Sequence, residues 1–539
     1  MIFNFSKNYF SLTYCFIIII SLLFLGCDKS EEEIVPSFSI NESTLPTYEL
    51  PAEGGSITIE VNWTDTQLKL VAESATTGSD FIEKITPSYF GSKGEGPKVT
   101  KVTITFGKNG NYSNNTQVLR LSSLSDDLQE KTFNLSQTAK SIEPINLTLT
   151  PSTTYQTITG FGGANMIWGT DFLNTTDIQT VFGTGEDDLG LTIYRVRLSS
   201  VQSDWQSLVS TVQEAKNHGA LILASPWSPP ANLKSNNSTT GGHLLESNYG
   251  SYANYINDFV QYMNSQNAAV DAISVQNEPD IQVGYESCDW TSDQIYNFVK
   301  DYGAIIQGTD LLAAESFNFK HAYTDKILND PIASANLDIV GGHIYGSDLT
   351  EYPLAEQKGK EIWMTEYLLN LNSGSDPDKW DESDEAIWNE SMEMLETIHK
   401  GMISNWNAYI WWYIRRFYSF LGDGEHGTVR GEILKRGLAF SHFSKFVRPG
   451  YVRIDAQLDS SANIKVSAYT GDNKEVVVII NSENNFVPEF NLMTQSLSSA
   501  EIYVTSFSKD REKTILSPNN GSLKIGLDPK SITTIVIPL

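Results

Sequence analysis

The period of hydrophobic and polar positions changes several times along the chain. Residues 16–25 (FIIIISLLFL) form one unbroken apolar run after Lys7. Ten residues are too few to cross a bilayer as a mature helix, so the run reads as the apolar part of a signal peptide. From residue 38 to residue 140 the pattern has period two. Ser56-Ile57-Thr58-Ile59-Glu60-Val61, the run 99–106 and Val118-Leu119-Arg120-Leu121 alternate, with Gly and Asn clusters between them. Such segments predict a small all-β sandwich.

From residue 160 short apolar runs alternate with amphipathic stretches. The runs are 160–165, 192–198, 220–225, 272–277, 312–316, 339–345, 362–366 and 408–413. Residues 205–217 place Leu208, Val209, Val212 and Ala215 on one helical face, and Gly219 is a stop. Thr291-Ser292-Asp293-Gln294 reads as a capping box ahead of Ile295 and Phe298. Eight strand–helix units predict an α/β fold, a (β/α)₈ TIM barrel. After about residue 446 period two returns at 464–469, 475–480, 502–505 and 532–537. Residues 146–150 alternate too and are expected to join them in a side β-sandwich. The expected organisation is a signal peptide (1–26), a linker (27–37), an N-terminal β-sandwich (38–140), a first side-domain segment (145–160), the barrel (161–446) and the side β-domain (447–539).

Composition narrows the function. With 37 Lys and Arg against 65 Asp and Glu, the chain carries −28. Phosphate binding draws on cations, so a nucleic-acid partner is not expected. Ten of the eleven Trp lie after residue 150, which sets that region apart. Of the three cysteines, Cys15 lies in the apolar leader, which leaves no disulfide framework, and Cys288 reads as packing. Leu25-Gly26-Cys27 resembles a bacterial lipobox, in which the cysteine is lipidated and becomes the mature N-terminus. The acidic run 28–33 resembles the surface-export signal of Bacteroidetes lipoproteins. The expectation is an outer-membrane lipoprotein, surface-exposed, monomeric and anchored through Cys27.

Barrel enzymes carry their chemistry at strand C-termini. The fourth predicted strand ends in Gln276-Asn277-Glu278-Pro279 and the seventh in Met364-Thr365-Glu366. Two facing carboxylates are what a retaining glycosidase needs, with carboxyl groups about 5–5.5 Å apart. In that scheme Glu278 is the general acid/base and Glu366 the nucleophile, and Asn277 meets the sugar 2-OH. Glu315 is expected to support His343 or an arginine. His343 and Tyr345 are expected at the mouth of the barrel, with Tyr345 donating to Glu366. Trp227, Trp290 and Trp412 are candidate sugar-facing surfaces, whereas Trp363 and Trp411 are expected to pack away from the sugar. Neither metal-ligand spacing, a Gly-rich phosphate loop nor a serine-nucleophile elbow appears, so no cofactor is expected.

Seven segments together carry a resemblance: Gly160-Phe161-Gly162-Gly163, residues 224–230 (ASPWSPP), 274–280 (SVQNEPD), 342–346 (GHIYG), 363–366 (WMTE), 411–416 (WWYIRR) and 442–450 (HFSKFVRPG). The chain resembles glycoside hydrolase family 30, and most closely its subfamily 8, the glucuronoxylan-specific endoxylanases. The resemblance spans roughly residues 145–539. It implies a barrel with a side β-domain, a retaining double displacement, Glu278 as acid/base, Glu366 as nucleophile and xylan as the substrate. It also implies that Arg416 grips the glucuronic-acid branch, a guanidinium fork being suited to a uronate, with Tyr418 and Ser373 adding hydroxyls. Arg415 is expected to be structural. The run after Glu366 and the acidic loop carrying Asp423, Glu425 and Glu432 depart from the subfamily pattern. Residues 51–56 (PAEGGS), Trp63 and residues 133–138 (FNLSQT) resemble a BACON module, with Trp63 expected in its core.

Overall fold

The computed structural model describes residues 34–165, 172–346, 349–369, 383–459, 463–493, 499–519 and 521–539. Cys27 and Ser373 lie outside them. The chain divides into two compact units, Met1–Ser141 and Ile142–Leu539.

The first unit has two four-stranded sheets. In one, Gly55–Thr64 pairs antiparallel with Ser37–Ile40 and Lys98–Phe106, and Ile82–Thr86 completes it. The other runs Tyr89–Ser92, Thr66–Thr77, Asn115–Ser123, Lys131–Gln137. Alternate residues of these strands (Ile59, Val61, Leu68, Leu70, Val102, Ile104, Leu119, Leu121) form its core. Trp63 is in that core, its indole N–H donating to Thr100 Oγ1 at 2.9 Å.

In the second unit eight parallel strands close into a barrel. They are β1 (Gly160–Ala164), β2 (Ile193–Leu198), β3 (Leu221–Pro226), β4 (Ala272–Ser274), β5 (Asp310–Ser316), β6 (Ile339–His343), β7 (Glu361–Glu366) and β8 (Ala408–Trp411). β1 pairs with both β2 and β8, which closes the ring. A Cβ on Gly162 would sit 2.2 Å from the Ile193 carbonyl oxygen, so this β1 position admits only glycine. Ile193, Leu223, Leu312, Ile339, Trp363 and Ile410 fill the barrel interior, while neighbouring strand positions pack outward with the helices. Helix Gln206–Asn217 buries Leu208, Val209, Val212 and Ala215. Helix Ser292–Tyr302 begins at a complete capping box of Thr291 and Gln294.

The side domain is one nine-stranded sheet in which Ile145–Thr157 lies between Val452–Leu458 and Val487–Met493. The chain therefore starts the side domain before it builds the barrel. Among the described residues no helix is long and apolar enough to cross a membrane.

Candidate active site

The C-terminal ends of β2, β4, β5, β6 and β7 bring together Arg195, Glu278, Glu315, His343 and Glu366. Arg195 is fully buried on β2. Its Nη1 donates to Glu366 Oε2 at 2.5 Å. Its Nη2 donates to Asn277 Oδ1 at 2.7 Å and to Glu315 Oε1 at 3.0 Å, and its Nε to Ser225 Oγ at 3.2 Å. One guanidinium thus fixes residues from four other strands or strand ends, and its face lies 5.0 Å from the Trp227 ring centroid.

Regular β4 stops at Ser274, earlier than the apolar run suggested. Beyond it the backbone turns: Asn277 N–H donates to the Pro226 carbonyl and Glu278 N–H to the Glu315 carbonyl at 3.0 Å. Glu278 and Glu315 both have left-handed φ, +46° and +50°. Each such residue costs about 1–3 kcal/mol and persists only where its surroundings over-determine it. Here that backbone hydrogen bond and the buried charge network do so.

Glu278 Oε1 accepts from His343 Nδ1 at 3.0 Å. Burial, and then the charge of Glu366, push the Glu278 carboxyl above its ordinary value, against the opposing effect of His343. Burial works against a charged His343, but Glu366, Glu278 and Glu315 raise it to about 9. Burial likewise opposes a charged Glu315, yet Arg195 and His343 hold it down at about 2. Tyr345 donates to Glu366 Oε1 at 2.9 Å, and burial followed by the Glu366 charge keeps its phenol protonated. Phe317 stacks on Tyr345 at 4.9 Å.

Ligand atoms of Glu278, His343 and Glu366 lie within 4.8 Å of one another. Three such groups have the donor types a cation site uses. The positive charge such a site would receive from a metal is already present as Arg195 and protonated His343. The chemically informative fact is the carboxylate spacing. It is too short for the about 6.5–9.5 Å gap that accommodates a water between two catalytic carboxyls, and it fits direct attack by one of them.

Asn277 is buried and its Oδ1 is taken by Arg195, which leaves the amide N–H₂ to meet a ligand. Trp227, expected as a sugar-facing surface, is 3% exposed and packs with Ala164 and Tyr413 under the Arg195 guanidinium, whereas Trp412, 6.0 Å from it, is only half-buried. Trp290, expected as a sugar-facing surface, is 3% exposed and packs among Tyr249, Tyr252 and Phe298, its indole N–H donating to Gln276 Oε1. The residue follows a loop that folds it back into the barrel–helix layer, and it supports Gln276 from below. Trp363 and Trp411 are both buried, in the barrel interior and among the helices respectively. Arg415 is buried and ion-paired with Asp177. Arg416 is half-buried, its Nη1 donating to the Arg415 carbonyl and its guanidinium 4.4 Å from the Tyr413 ring centroid. Tyr418, nearby, is raised to about 12 by burial. Cys288 is buried, with its thiol pushed up to about 12.

Arg195 and Tyr285 are the site groups that sequence inspection passes over. Tyr285, on the loop after β4, is raised by burial and then by the charges of Glu278 and Glu366. The signal for Arg195 is present: a charged residue at an inward position of Ile193-Tyr194-Arg195-Val196 requires a buried carboxylate partner. No periodicity announces Tyr285.

The profile of the glycosyl hydrolase family 30 TIM-barrel domain matches residues 184–417. Glucuronoxylanase XynC of Bacillus subtilis (strain 168) is 38% identical over 404 residues, spanning 73% of this chain and 92% of that protein. Among solved structures, the glycoside hydrolase family 30 subfamily 8 xylanase Xyn30A of Clostridium acetobutylicum matches with a TM-score of 0.65 and 34% identity, over 73% of this chain and all of that one. The GH30 endoxylanase of Clostridium papyrosolvens C71 matches with a TM-score of 0.63 and 35% identity, over 74% of this chain and all of that one.

Proposed function

The chain belongs to glycoside hydrolase family 30, and from that premise we propose that it is a retaining endo-β-1,4-xylanase that cuts glucuronoxylan at positions directed by the glucuronosyl branch. The observation that carries this is the Glu278–Glu366 carboxylate pair, with oxygens within 4.8 Å at the C-terminal mouth of a closed barrel.

In the first step a Glu366 carboxylate oxygen attacks the anomeric carbon. The glycosidic C–O bond breaks, and the leaving oxygen takes the proton of Glu278. In the second step Glu278, now a carboxylate, accepts a proton from water. The water oxygen attacks the anomeric carbon and releases Glu366. The charges around the pair suit this cycle. Arg195 and protonated His343 balance ionised Glu315 and Glu366, so a neutral Glu278 leaves the cluster without net charge. Tyr345 and Arg195 aim the two oxygens of Glu366. The free amide of Asn277 supplies a donor for the sugar 2-OH.

Branch selection is assigned to Arg416, with Tyr418 beside it. A charge-assisted contact to a uronate contributes about 1.5–3 kcal/mol, enough to favour a branched over a bare position. A less selective xylanase is the second reading. It is favoured by Asp423, whose negative charge acts on Tyr418 and opposes an anionic branch. The leader and Cys27 fit a lipid-anchored, surface-displayed enzyme, with the N-terminal sandwich as a BACON-type spacer or glycan binder.

Mass spectrometry of products from 4-O-methyl-glucuronoxylan, beside arabinoxylan, tests the assignment. A ladder of xylo-oligomers each carrying one uronate, with little released from arabinoxylan, is expected. Equal neutral ladders from both would retain the xylanase and remove branch direction. Glu366→Gln is expected to abolish turnover while leaving retention on a xylan affinity gel intact, and a variant that still turns over would remove Glu366 as nucleophile.

A further inference from the structure

The retaining cycle gives Glu315 no step, yet three costs meet at this residue. Its side chain is 0% exposed, and a buried carboxylate is expensive unless it is well paired. Its φ of +50° is strained for a residue other than glycine, and such strain points to a role. It also breaks the β5–β6 ladder. Ala314 pairs with Gly341 and Ser316 with Gly342, so Glu315 is an extra residue bulged out of β5. A bulge re-aims a side chain. The β6–β7 ladder shifts in the same way: Gly342 pairs with Met364 and His343 with Glu366, which sets His343 level with the nucleophile.

The bulge turns Glu315 onto two cations at once. Its Oε1 accepts from Arg195 Nη2 at 3.0 Å and lies 3.8 Å from His343 Nε2. Each cation reaches onward to a carboxyl of the reacting pair. His343 Nδ1 is 3.0 Å from Glu278 Oε1, and Arg195 Nη1 donates to Glu366 Oε2 at 2.5 Å. One chain of contacts thus runs from Glu278 through His343, Glu315 and Arg195 to Glu366.

The charge on His343 decides which oxygen of Glu278 carries the proton. A protonated ring donates from Nδ1 to Oε1, so the carboxyl proton sits on Oε2 and is free for the leaving oxygen. A neutral ring that keeps its one N–H on the Glu315 side presents a bare Nδ1. The proton of Glu278 then lies on Oε1, held by the histidine and turned away from the leaving oxygen. The groups around the ring are Arg195 from β2, Glu278 beyond β4, Glu315 from β5, Glu366 from β7 and the edge-on Tyr345 after β6. Burial opposes a charged ring, but Glu366, Glu278 and Glu315 hold it protonated.

Resting on the retaining mechanism above, we propose that Glu315 is a positioning residue for the proton of Glu278. Acting through His343, its charge keeps that proton on the oxygen offered to the leaving group.

Profiles of kcat/KM against pH, on the xylan that wild type cleaves, test this with full-length wild type, Glu315→Gln and His343→Asn. Gln keeps the shape of Glu315 and an acceptor for Arg195 but loses the charge. With one anion gone, Glu278 and His343 hold their protons less tightly. Glu315→Gln is therefore expected to move the basic limb to lower pH by about one unit. Its kcat should be near wild type at about pH 5 and about tenfold lower at about pH 8, with KM nearly unchanged. On a dinitrophenyl glycoside of a released xylo-oligomer, whose leaving group needs no proton, its kcat/KM should match wild type throughout. His343→Asn replaces the cation with an amide donor that does not titrate, so its basic limb should move the opposite way, to higher pH. Thermal melts check folding. Where Glu315→Gln is unfolded, Glu315→Asp, which draws the charge back from His343, should give a smaller shift to lower pH. Unmoved basic limbs overturn the inference. So does a loss in the Glu315 variant that is equal at every pH and on both substrates, which is what a purely structural residue gives. A wild type inert on xylan and on the dinitrophenyl glycoside overturns the retaining reading and this inference together, whereas an active wild type with unmoved limbs in the variants overturns this inference alone.

Discussion

Arg195 and His343 bring two positive charges to three carboxyls, and the balance among them makes the site's stability a function of pH. The folded protein raises His343 from its ordinary 6.5 to about 9, despite burial, through its carboxylate neighbours. The fold therefore favours the protonated ring. That contribution is fully present below about pH 6.5 and is lost as pH rises through about 9. Glu315 runs the other way, lowered from 4.5 to about 2 by Arg195 and His343 against its burial. Its contribution is present above about pH 4.5 and is lost as pH falls from there towards 2. Differential scanning calorimetry across pH is expected to show a Tm plateau between about 4.5 and 6.5. His343→Gln should remove most of the alkaline decline, and a variant declining as steeply as wild type would show that other groups govern it. Glu278 and Glu366 are legible in the sequence because each ends an apolar run of the right spacing. Arg195 shows in the sequence only as a charge at an inward strand position; its partners do not show, because they are 82, 120 and 171 residues away, and only the closed barrel reveals that one guanidinium reaches all three.

Apolar periodicity locates the barrel strands well because both faces of a parallel strand are buried, so each reads as a short continuous run. It is least accurate where strands end. The runs 272–277 and 408–413 overshoot β4 and β8, since apolar and amide side chains continue into the turns that aim Asn277, Glu278 and Trp412. The turn after β4 is set by contacts with β3 and β5, and the turn after β8 by the carbonyls of Tyr367, just past β7, and of Ala164 in β1, which no local pattern encodes. Helix starts are the opposite case, because a cap is written in neighbouring residues. Thr291 accepts from Gln294 N–H at 3.2 Å, and Gln294 Oε1 accepts from Thr291 N–H at 2.8 Å. Losing such a cap costs about 1 kcal/mol. Thr291→Ala is therefore expected to lower the denaturation midpoint by a corresponding amount while leaving kcat/KM on xylan unchanged. A fall in kcat/KM would mean that the cap also holds the Tyr285 loop, which closes one residue earlier at Trp290.

At the scale of the whole chain, order along the sequence and order in space part company at the side domain. The sheet that follows the barrel is completed by a strand that precedes it. Ile145–Thr157 supplies hydrogen bonds to Val452–Leu458 on one side and Val487–Met493 on the other, so it is an inner strand. Removing it would leave two new open edges and expose the apolar cluster containing Leu147, Leu149, Ile454 and Leu492. The boundary between the compact units at residues 141 and 142 lies just ahead of this strand. Two truncations only 18 residues apart are thus expected to behave in opposite ways. A chain starting at Ile142 retains its complete nine-stranded sheet and barrel, and should fold, melt cooperatively and cleave soluble xylan with a kcat close to that of the longer protein. A chain starting at Gly160 keeps every barrel strand and both Glu278 and Glu366, yet should be insoluble or bind a hydrophobic dye in the manner of a partly folded state. Circular dichroism melts and activity of the two truncations decide the matter. An active, cooperatively melting chain from Gly160 would show that the barrel stands without the crossing strand, and that the side domain is an appendage to the enzyme instead of part of its core.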